Sequence, residues 1–435
     1  MNDSGSWPTL ALSDVATAIT SGATPQSGSA RYYTTEGGVP FAKIDDLTAS
    51  SGQYIDSTTL HVTDMALRET ALKTYPVGTI LLSMYGTVGL VKITARTICA
   101  NQALAALIPP FRCDPKYLYH VLLWSRQGWE RFKAQTTQAN INGAVVKAFH
   151  IPSPTLVQQQ RIAEILDTLD EQIRKTEHIL GKLKLVRQGL LNSLLTRGID
   201  EHGRLRDPVR HPQQFTDTPI GRLPKQWDTS SISDLVADVE PAMRSGPFGS
   251  ALLKHELVSS GVPLLGIDNI HVDDFRAEFT RFVTHQKARE LSRYRVHPGD
   301  VMITIMGTVG RSCLVPENVP HALSSKHVWT MTFDQRRYLP YLVSAQLNHA
   351  EWVLAQLRRD EQGGIMNAIR SDTLREAILP VPPIEEQHRI RAVLESQDRR
   401  IVREKEELDK LRFLKEGLAS DLLSGRVRVP MEVKA

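Results

Sequence analysis

The run Gly78-Thr79-Ile80-Leu81-Leu82-Ser83-Met84-Tyr85-Gly86-Thr87-Val88-Gly89 returns as Gly299-Asp300-Val301-Met302-Ile303-Thr304-Ile305-Met306-Gly307-Thr308-Val309-Gly310, at an offset of 221 residues. Other blocks return around it in the same order. Trp7 with Leu12-Ser13-Asp14-Val15 returns as Trp227 with Ile232-Ser233-Asp234-Leu235, and Gly38-Val39-Pro40-Phe41 with Ile44-Asp45 as Gly261-Val262-Pro263-Leu264 with Ile267-Asp268. Pro152-Ser153-Pro154 followed by Gln159-Gln160-Arg161-Ile162 returns as Pro380-Val381-Pro382 followed by Gln387-His388-Arg389-Ile390, at offset 228. Four ordered matches with slowly drifting offsets make the 435-residue chain a tandem duplication of one unit of roughly 220 residues.

Each copy ends in a long amphipathic pattern. Proline breaks the element before it, so the Pro-x-Pro turn marks the start. Apolar positions then alternate at spacings of four and three: Ile162, Leu166, Leu169, Ile173, Thr176, Leu180, Leu183, Arg187, Leu190 and Leu194. At offset 228 the same positions are Ile390, Leu394, Gln397, Ile401, Glu404, Leu408, Leu411, Lys415, Leu418 and Leu422, so the heptad phase and its polar breaks at 176/404 and 187/415 are shared. Such a helix, ~60 Å long at 1.5 Å per residue, needs a partner. Its duplicate, packed antiparallel about a pseudo-twofold axis, is the expected one; a helix of another subunit is the alternative.

The predicted fold is therefore α/β: two similar globular α/β domains separated by two long antiparallel helices in a coiled coil. The expected boundaries are a first globular domain over 1–155, a helix over 156–198, a Gly/Pro/Arg/His-rich linker over 199–215, a second globular domain over 216–383, a helix over 384–425 and a tail over 426–435. Strands are expected at Thr79–Met84, Val301–Ile305 and Val328–Phe333, and helices at Tyr117–Lys133 and Tyr338–Leu357.

Composition excludes several classes. Hydrophobic residues are 41% and charged residues 23%, ordinary for a folded protein and not for a disordered one. No stretch approaches the ~20 apolar residues of a membrane span, and Met1–Leu10 lacks a secretory signal's basic start and apolar core. With Cys99, Cys113 and Cys313 scattered, a cytoplasmic protein without disulfides or zinc is expected. The net charge of +4 is spread over all segments, so nucleic-acid binding requires charge arranged on a folded surface or supplied by a partner.

Catalytic motifs are missing. Pro109-Pro110 and Pro382-Pro383 lack the preceding Asp or Asn of an amino-methyltransferase loop, and neither a phosphate-binding P-loop nor a Gly-x-Ser-x-Gly elbow occurs. His255-Glu256 is followed at 259 by Ser where a zinc protease has its second His. Asp45, Asp46, Asp273 and Asp274 invite a metal-site reading, but adjacent Asp residues more often sit in turns. No catalytic role and no metal are expected.

Two duplicated polar features remain as candidate contacts. Gly86-Thr87-Val88-Gly89 and Gly307-Thr308-Val309-Gly310, preceded by Ser83 and Thr304, either bring backbone amides close to a phosphate or are tight turns requiring positive φ. Asn101-Gln102 stands where the second copy has Ser325-Lys326-His327; these side chains either read base edges or cap the next element. Tyr85, Arg31, Tyr32 and Lys43 in the first copy, and Arg244, Lys254 and Arg293 in the second, are further candidates, the last within a basic run with Lys287, Arg289 and Arg295.

The duplicated Gly-Val-Pro…Ile-Asp block, the Gly-Thr-Val-Gly block and the Pro-x-Pro…Gln-x-Arg-Ile entry into a Leu-rich helix together resemble the specificity subunit of type I restriction–modification systems, over essentially the whole chain. The resemblance implies two target recognition domains, each reading half of a split sequence in double-stranded DNA. It implies helices that act as spacer and dock two modification subunits, which carry S-adenosylmethionine and methylate adenine at N6. Restriction subunits, where present, add ATP- and Mg-dependent translocation and cleavage. Gln159, Arg161, Gln387 and Arg389 at the helix entrances are the docking candidates. The first entrance, Thr155-Leu156-Val157-Gln158, lacks the acidic pair Glu385-Glu386 of the second. The rival reading is a coiled-coil interaction scaffold without DNA specificity; a piece of a fused nuclease–methyltransferase is a third.

Overall fold

The computed structural model of the protein describes residues 6–133, 140–360 and 368–429. The chain packs as two compact units, one drawn from residues 1–180 and 404–435, the other from 181–403. Each long helix therefore contributes one part to each unit.

In the first unit, one sheet has the strand order Ala16–Ser21, Leu104–Phe111, Ile80–Ser83, Val91–Thr94, Tyr54–Ile55. A second sheet runs Tyr33–Thr34, Leu60–Val62, Val39–Ala42, Ile98–Ala100, Thr74–Tyr75. The strand inside the duplicated run, Ile80–Ser83, is buried on both faces, and its alternation serves two cores. Ile80 and Leu82 join Ile19, Val91, Tyr117 and Trp129, while Leu81 joins Ala42, Tyr75 and Ile98. Each such side chain contributes roughly 1.5–3 kcal/mol through burial.

The second unit repeats this plan. Met243–Ser245, Val328–Met331, Val301–Thr304 and Ser312–Leu314 form one sheet in that order. Leu257–Val258, Phe282–Val283, Val262–Leu265, Ala322–Ser324 and Arg295–Val296 form the other. Val301 and Ile303 face one core and Met302 another. Even the single parallel pairing of the second sheet recurs: Phe41 opposite Cys99, and Leu264 opposite Leu323. The fifth strand of the first sheet has no equivalent, because Ile270–His271 and Asp274–Phe275 pair with each other instead.

Two sequence expectations need correction. Tyr117–Lys133 is two helices, Pro115–Trp124 and Arg126–Lys133, and Tyr338–Leu357 is also two, Pro340–His349 and Glu351–Leu357. The break falls at Ser125, and in the second piece Trp129 is fully buried and stacks on Phe149 at 3.7 Å. At Ala350 the backbone becomes extended (ψ 114°), and Val353 and Leu357 then turn into the core.

The long helices span Leu156–Arg197 and Ile384–Ser424. None of the ten seam positions in either is exposed. In the first unit Asp170 meets Lys415 at 2.5 Å and Glu177 meets Arg412 at 2.8 Å, so partner numbers fall as the first helix advances and the segments run antiparallel. In the second unit Arg187 meets Asp398 at 2.5 Å and the Ile199 amide meets Glu386 at 2.9 Å, again antiparallel. The seam's partner is thus the other helix of the same chain. The basic breaks at 187 and 415 are ion pairs with Asp398 and Asp170, themselves equivalent at offset 228. Such buried-edge polar pairs fix register more than they add stability.

Where each copy begins, a tryptophan covers the glycine that ends a helix. Trp7 donates from Nε1 to Leu422 O (2.8 Å) and lies over Gly425, φ +84°, whose missing Cβ would stand 3.1 Å from the ring. Trp227 lies in the same way over Gly198, φ +62°, and donates to Glu386. The segment after Gly198 is pinned rather than loose: buried Arg206 donates through both terminal nitrogens to buried Glu386.

Candidate nucleic-acid interface

In the first unit the turn Met84–Gly89 joins the strands Ile80–Ser83 and Val91–Thr94. Gly86 (φ +58°) and Gly89 (φ +84°) occupy conformations L side chains avoid, so the sequence needs glycine there. Ser83 is fully buried; its hydroxyl donates to Thr87 O at 2.5 Å and accepts from Leu90 N at 2.8 Å. The amides of Gly86, Val88 and Gly89 bond Asn140 Oδ1, Gly86 O and Ser83 O. That leaves no ring of free amides for a phosphate. What the turn offers outward is the exposed pair Tyr85 and Thr87.

The loop after Ile98–Ala100 lies beside this turn, since Met84 N bonds Ala103 O at 2.8 Å. Asn101 Oδ1 accepts from Ala103 N, so Asn101 shapes its own loop, while Gln102 is exposed. Asn101 N bonds Ala42 O, which brings half-buried Lys43 alongside. Tyr85, Thr87, Gln102 and Lys43 therefore gather at one end of the unit. Arg31 and Tyr32 do not join them: both bond Glu69, on the helix Asp64–Glu69.

The second unit builds the same face with other side chains. Gly307 (φ +78°) and Gly310 (φ +86°) repeat the turn. Buried Thr304 donates to Thr308 O and accepts from Arg311 N. Ile305 N bonds His327 O at 3.0 Å, and Ser325 N bonds Leu265 O at 2.8 Å. Lys326 is exposed; His327 is half-buried, its imidazole held below the ordinary range by burial, then by the charges of Lys326 and Arg281. Met306 takes the place of Tyr85 and is also exposed. Lys254 and Arg293 are exposed as well, Arg293 lying over the Tyr294 ring.

Several candidates belong to the interior instead. Ser83, Thr304 and Ser325 are buried and cannot reach a ligand. Arg244, 5% exposed, pairs with fully buried Asp300 and donates to Arg295 O, Thr332 Oγ1 and neighbouring carbonyls, so it has no donor left for DNA. Gln159 accepts from Asp114 N and donates to Pro154 O. Gln387 accepts from Leu339 N and donates to Arg337 O and Pro382 O. Both lock the helix entrance onto its own domain and are unavailable to a partner. Arg161 is exposed beside Glu164, and Arg389 is half-buried. The turn expectation holds only for Asp273, which binds His349, Asn348 and Arg187; Asp45 and Asp46 open the helix Ile44–Ala49, where Asp46 accepts from Lys43 N and Thr59 N, and Asp274 begins a strand. Among the described residues no cluster of metal-ligating side chains occurs. Burial pushes the three thiols up to about 12.

One flank of the turn escaped the sequence reading. Ile141 N bonds Met84 O at 2.9 Å and Ile369 N bonds Ile305 O at 3.2 Å, so equivalent segments brace the turn in both units. The signal was present in the shared offset of 228 between Ile141 and Ile369.

The type I restriction modification DNA specificity domain model matches residues 5–185 and 254–412. The chain is 22% identical to the type I restriction enzyme MjaVIII specificity subunit of Methanocaldococcus jannaschii, over 73% of this chain and 71% of that one. It is 20% identical to the Escherichia coli type I restriction enzyme EcoBI specificity subunit, over 88% and 78%. The crystal structure of a type I restriction–modification S subunit from M. genitalium shares the fold, with a TM-score of 0.53, 16% identity and 97% of each chain covered. Among the described residues no helix is long and apolar enough to cross a membrane. With both copies matched in order, on units of one architecture joined to paired long helices, the chain belongs to the family of type I restriction–modification DNA specificity subunits.

Proposed function

We propose that the chain reads a split DNA target, each unit's turn-and-loop face contacting one half, while the long helices set the unread gap and dock two modification subunits. The chain is the specificity subunit and not the catalytic one; S-adenosylmethionine belongs to the modification subunits, and ATP and Mg to restriction subunits where these are present. The observation that carries the reading is one scaffold displaying different side chains twice: Tyr85, Thr87 and Gln102 on one unit, Met306, Lys326 and His327 on the other. That is how two readers of unlike half-sites differ, since base-edge contacts worth ~1–3 kcal/mol each depend on side-chain identity. Mapping N6-methyladenine across the genome with and without the gene tests it. A two-part motif that vanishes with the gene is the expected result, and DNA binding without sequence preference would leave the scaffold reading.

Docking has its own support. Off the seam, Leu185 and Val186 are 75% and 57% exposed, and at offset 228 so are Phe413 and Leu414, at 79% and 48%. Apolar pairs repeated on equivalent helix faces suit two copies of one partner. Replacing both residues of one pair by Asp is expected to leave the chain folded and to reduce the modification subunits bound from two to one, read as complex mass by sedimentation. Retention of both would remove the helices from the docking surface.

A further inference from the structure

The second unit carries an aromatic ring that its fold does not use. After the strand Met243–Ser245 the loop Gly246-Pro247-Phe248-Gly249 has a buried base and an exposed tip: Gly246 and Pro247 are buried, whereas Phe248 is 54% exposed. The base is fixed. Gly246 N bonds Ser325 O at 3.2 Å, and a Cβ on Gly246 would collide with the backbone of Ser324 and Ser325. Gly249, at φ +59° with nothing near its missing Cβ, makes the tip turn back at once. A phenylalanine on a rigid loop, held out of the core, loses burial free energy unless something covers it.

Its surroundings say what covers it. The loop is bonded to Ser325, next to exposed Lys326, and the same three-residue loop bonds Ile305, next to exposed Met306. Exposed Lys254 follows shortly after the loop in sequence. An apolar tip on a loop bonded beside an exposed lysine fits a polyanion with apolar faces stacked inside it, which is duplex DNA. Side chains such as Phe and Met enter duplexes as wedges between base pairs and stack on the bases. The first unit lacks this ring: its equivalent loop, Gly22-Ala23-Thr24-Pro25, makes the same close approach to the backbone at Ala100 and Asn101 but carries no aromatic.

We propose that Phe248 is a wedge that stacks into one base step of the half-site read by the second unit, a role that rests on the DNA-reading function proposed above. The test uses the complete complex of this chain with its modification subunits, as wild type, Phe248→Ala and Phe248→Trp. The target is the motif found by methylation mapping, in duplexes with 2-aminopurine placed in turn at each position of that half-site except the methylated adenine. The expected result is a fluorescence rise at one step with wild type and Phe248→Trp, absent with Phe248→Ala. Affinity of Phe248→Ala for the target should fall about 10- to 100-fold, with under about threefold change on non-target DNA. Phe248→Ala binding and fluorescing like wild type on a target that wild type still selects would overturn the wedge and leave DNA reading intact. A wild-type complex selecting no sequence would overturn both.

Discussion

Glu386→Ala is expected to lower the melting temperature by about 6–20 °C. Glu386 is 1% exposed and accepts from Arg206 Nη1 (2.5 Å), Arg206 Nη2 (3.0 Å), Ile199 N (2.9 Å) and Trp227 Nε1 (3.1 Å). Removing the carboxylate leaves the Ile199 amide and the Trp227 indole N–H buried without partners, and the Arg206 guanidinium without its counter-ion, holding only Arg197 O and Gln226 Oε1. Breaking a buried pair from one side costs about 3–5 kcal/mol, and a unit of this size loses about 2–4 °C per kcal/mol. Glu386→Gln keeps an acceptor and should fall between. The equivalent position in the first copy is Gln158, half-exposed and bonded only to Thr155, so Gln158→Ala should cost no more than about 1 kcal/mol. Calorimetry of the three variants checks the ranking; equal melting temperatures for Glu386→Ala and Gln158→Ala would refute it.

A heptad added to both long helices, between Leu180 and Gly181 and between Arg403 and Glu404, is expected to abolish methylation at the original motif and to create one with a gap longer by about three base pairs. Seven helical residues add ~10.5 Å, against ~3.4 Å per base pair. A whole heptad also keeps the apolar seam in phase to within ~20°. The insertion points leave the Asp170–Lys415 pair within the first unit and the Arg187–Asp398 pair within the second, so each unit retains its own register pin. Removing a heptad should shorten the gap by the same amount. Methylation mapping reads the outcome directly, and an unchanged gap would show that the helices do not set it.

The duplicated run was legible because strand geometry fixes side-chain direction every two residues, so Ile80, Leu81 and Leu82 announce a strand buried on both faces. The seam was legible for the same kind of reason at helical spacing. Polar residues were the harder case. Ser83, Thr304, Arg244, Gln159 and Gln387 have the composition of a surface, yet all are buried: Ser83 and Thr304 bond across their own turns, and Arg244, Gln159 and Gln387 bond residues far away in sequence. Nothing local distinguishes Gln159 bonded to Asp114 from a glutamine in water. Exposed Tyr85 and Gln102 were found because duplication drew attention to their loops, whereas Phe248 sits in a stretch that has diverged between the copies. The break at Ser125 was also invisible, since Tyr117–Lys133 keeps an apolar spacing through it.

The stacking of Trp7 on Gly425 repeats that of Trp227 on Gly198, so the first unit closes on the second helix's end as the second unit closes on the first helix's end. In the second junction the chain also runs from the glycine to the tryptophan, through Arg206 and its pair with Glu386. Both helix ends are thus closed by one kind of contact, an indole over a left-handed glycine. Exchange of one half between related genes is therefore expected to bring in a new reader already fitted with its own end of the clasp.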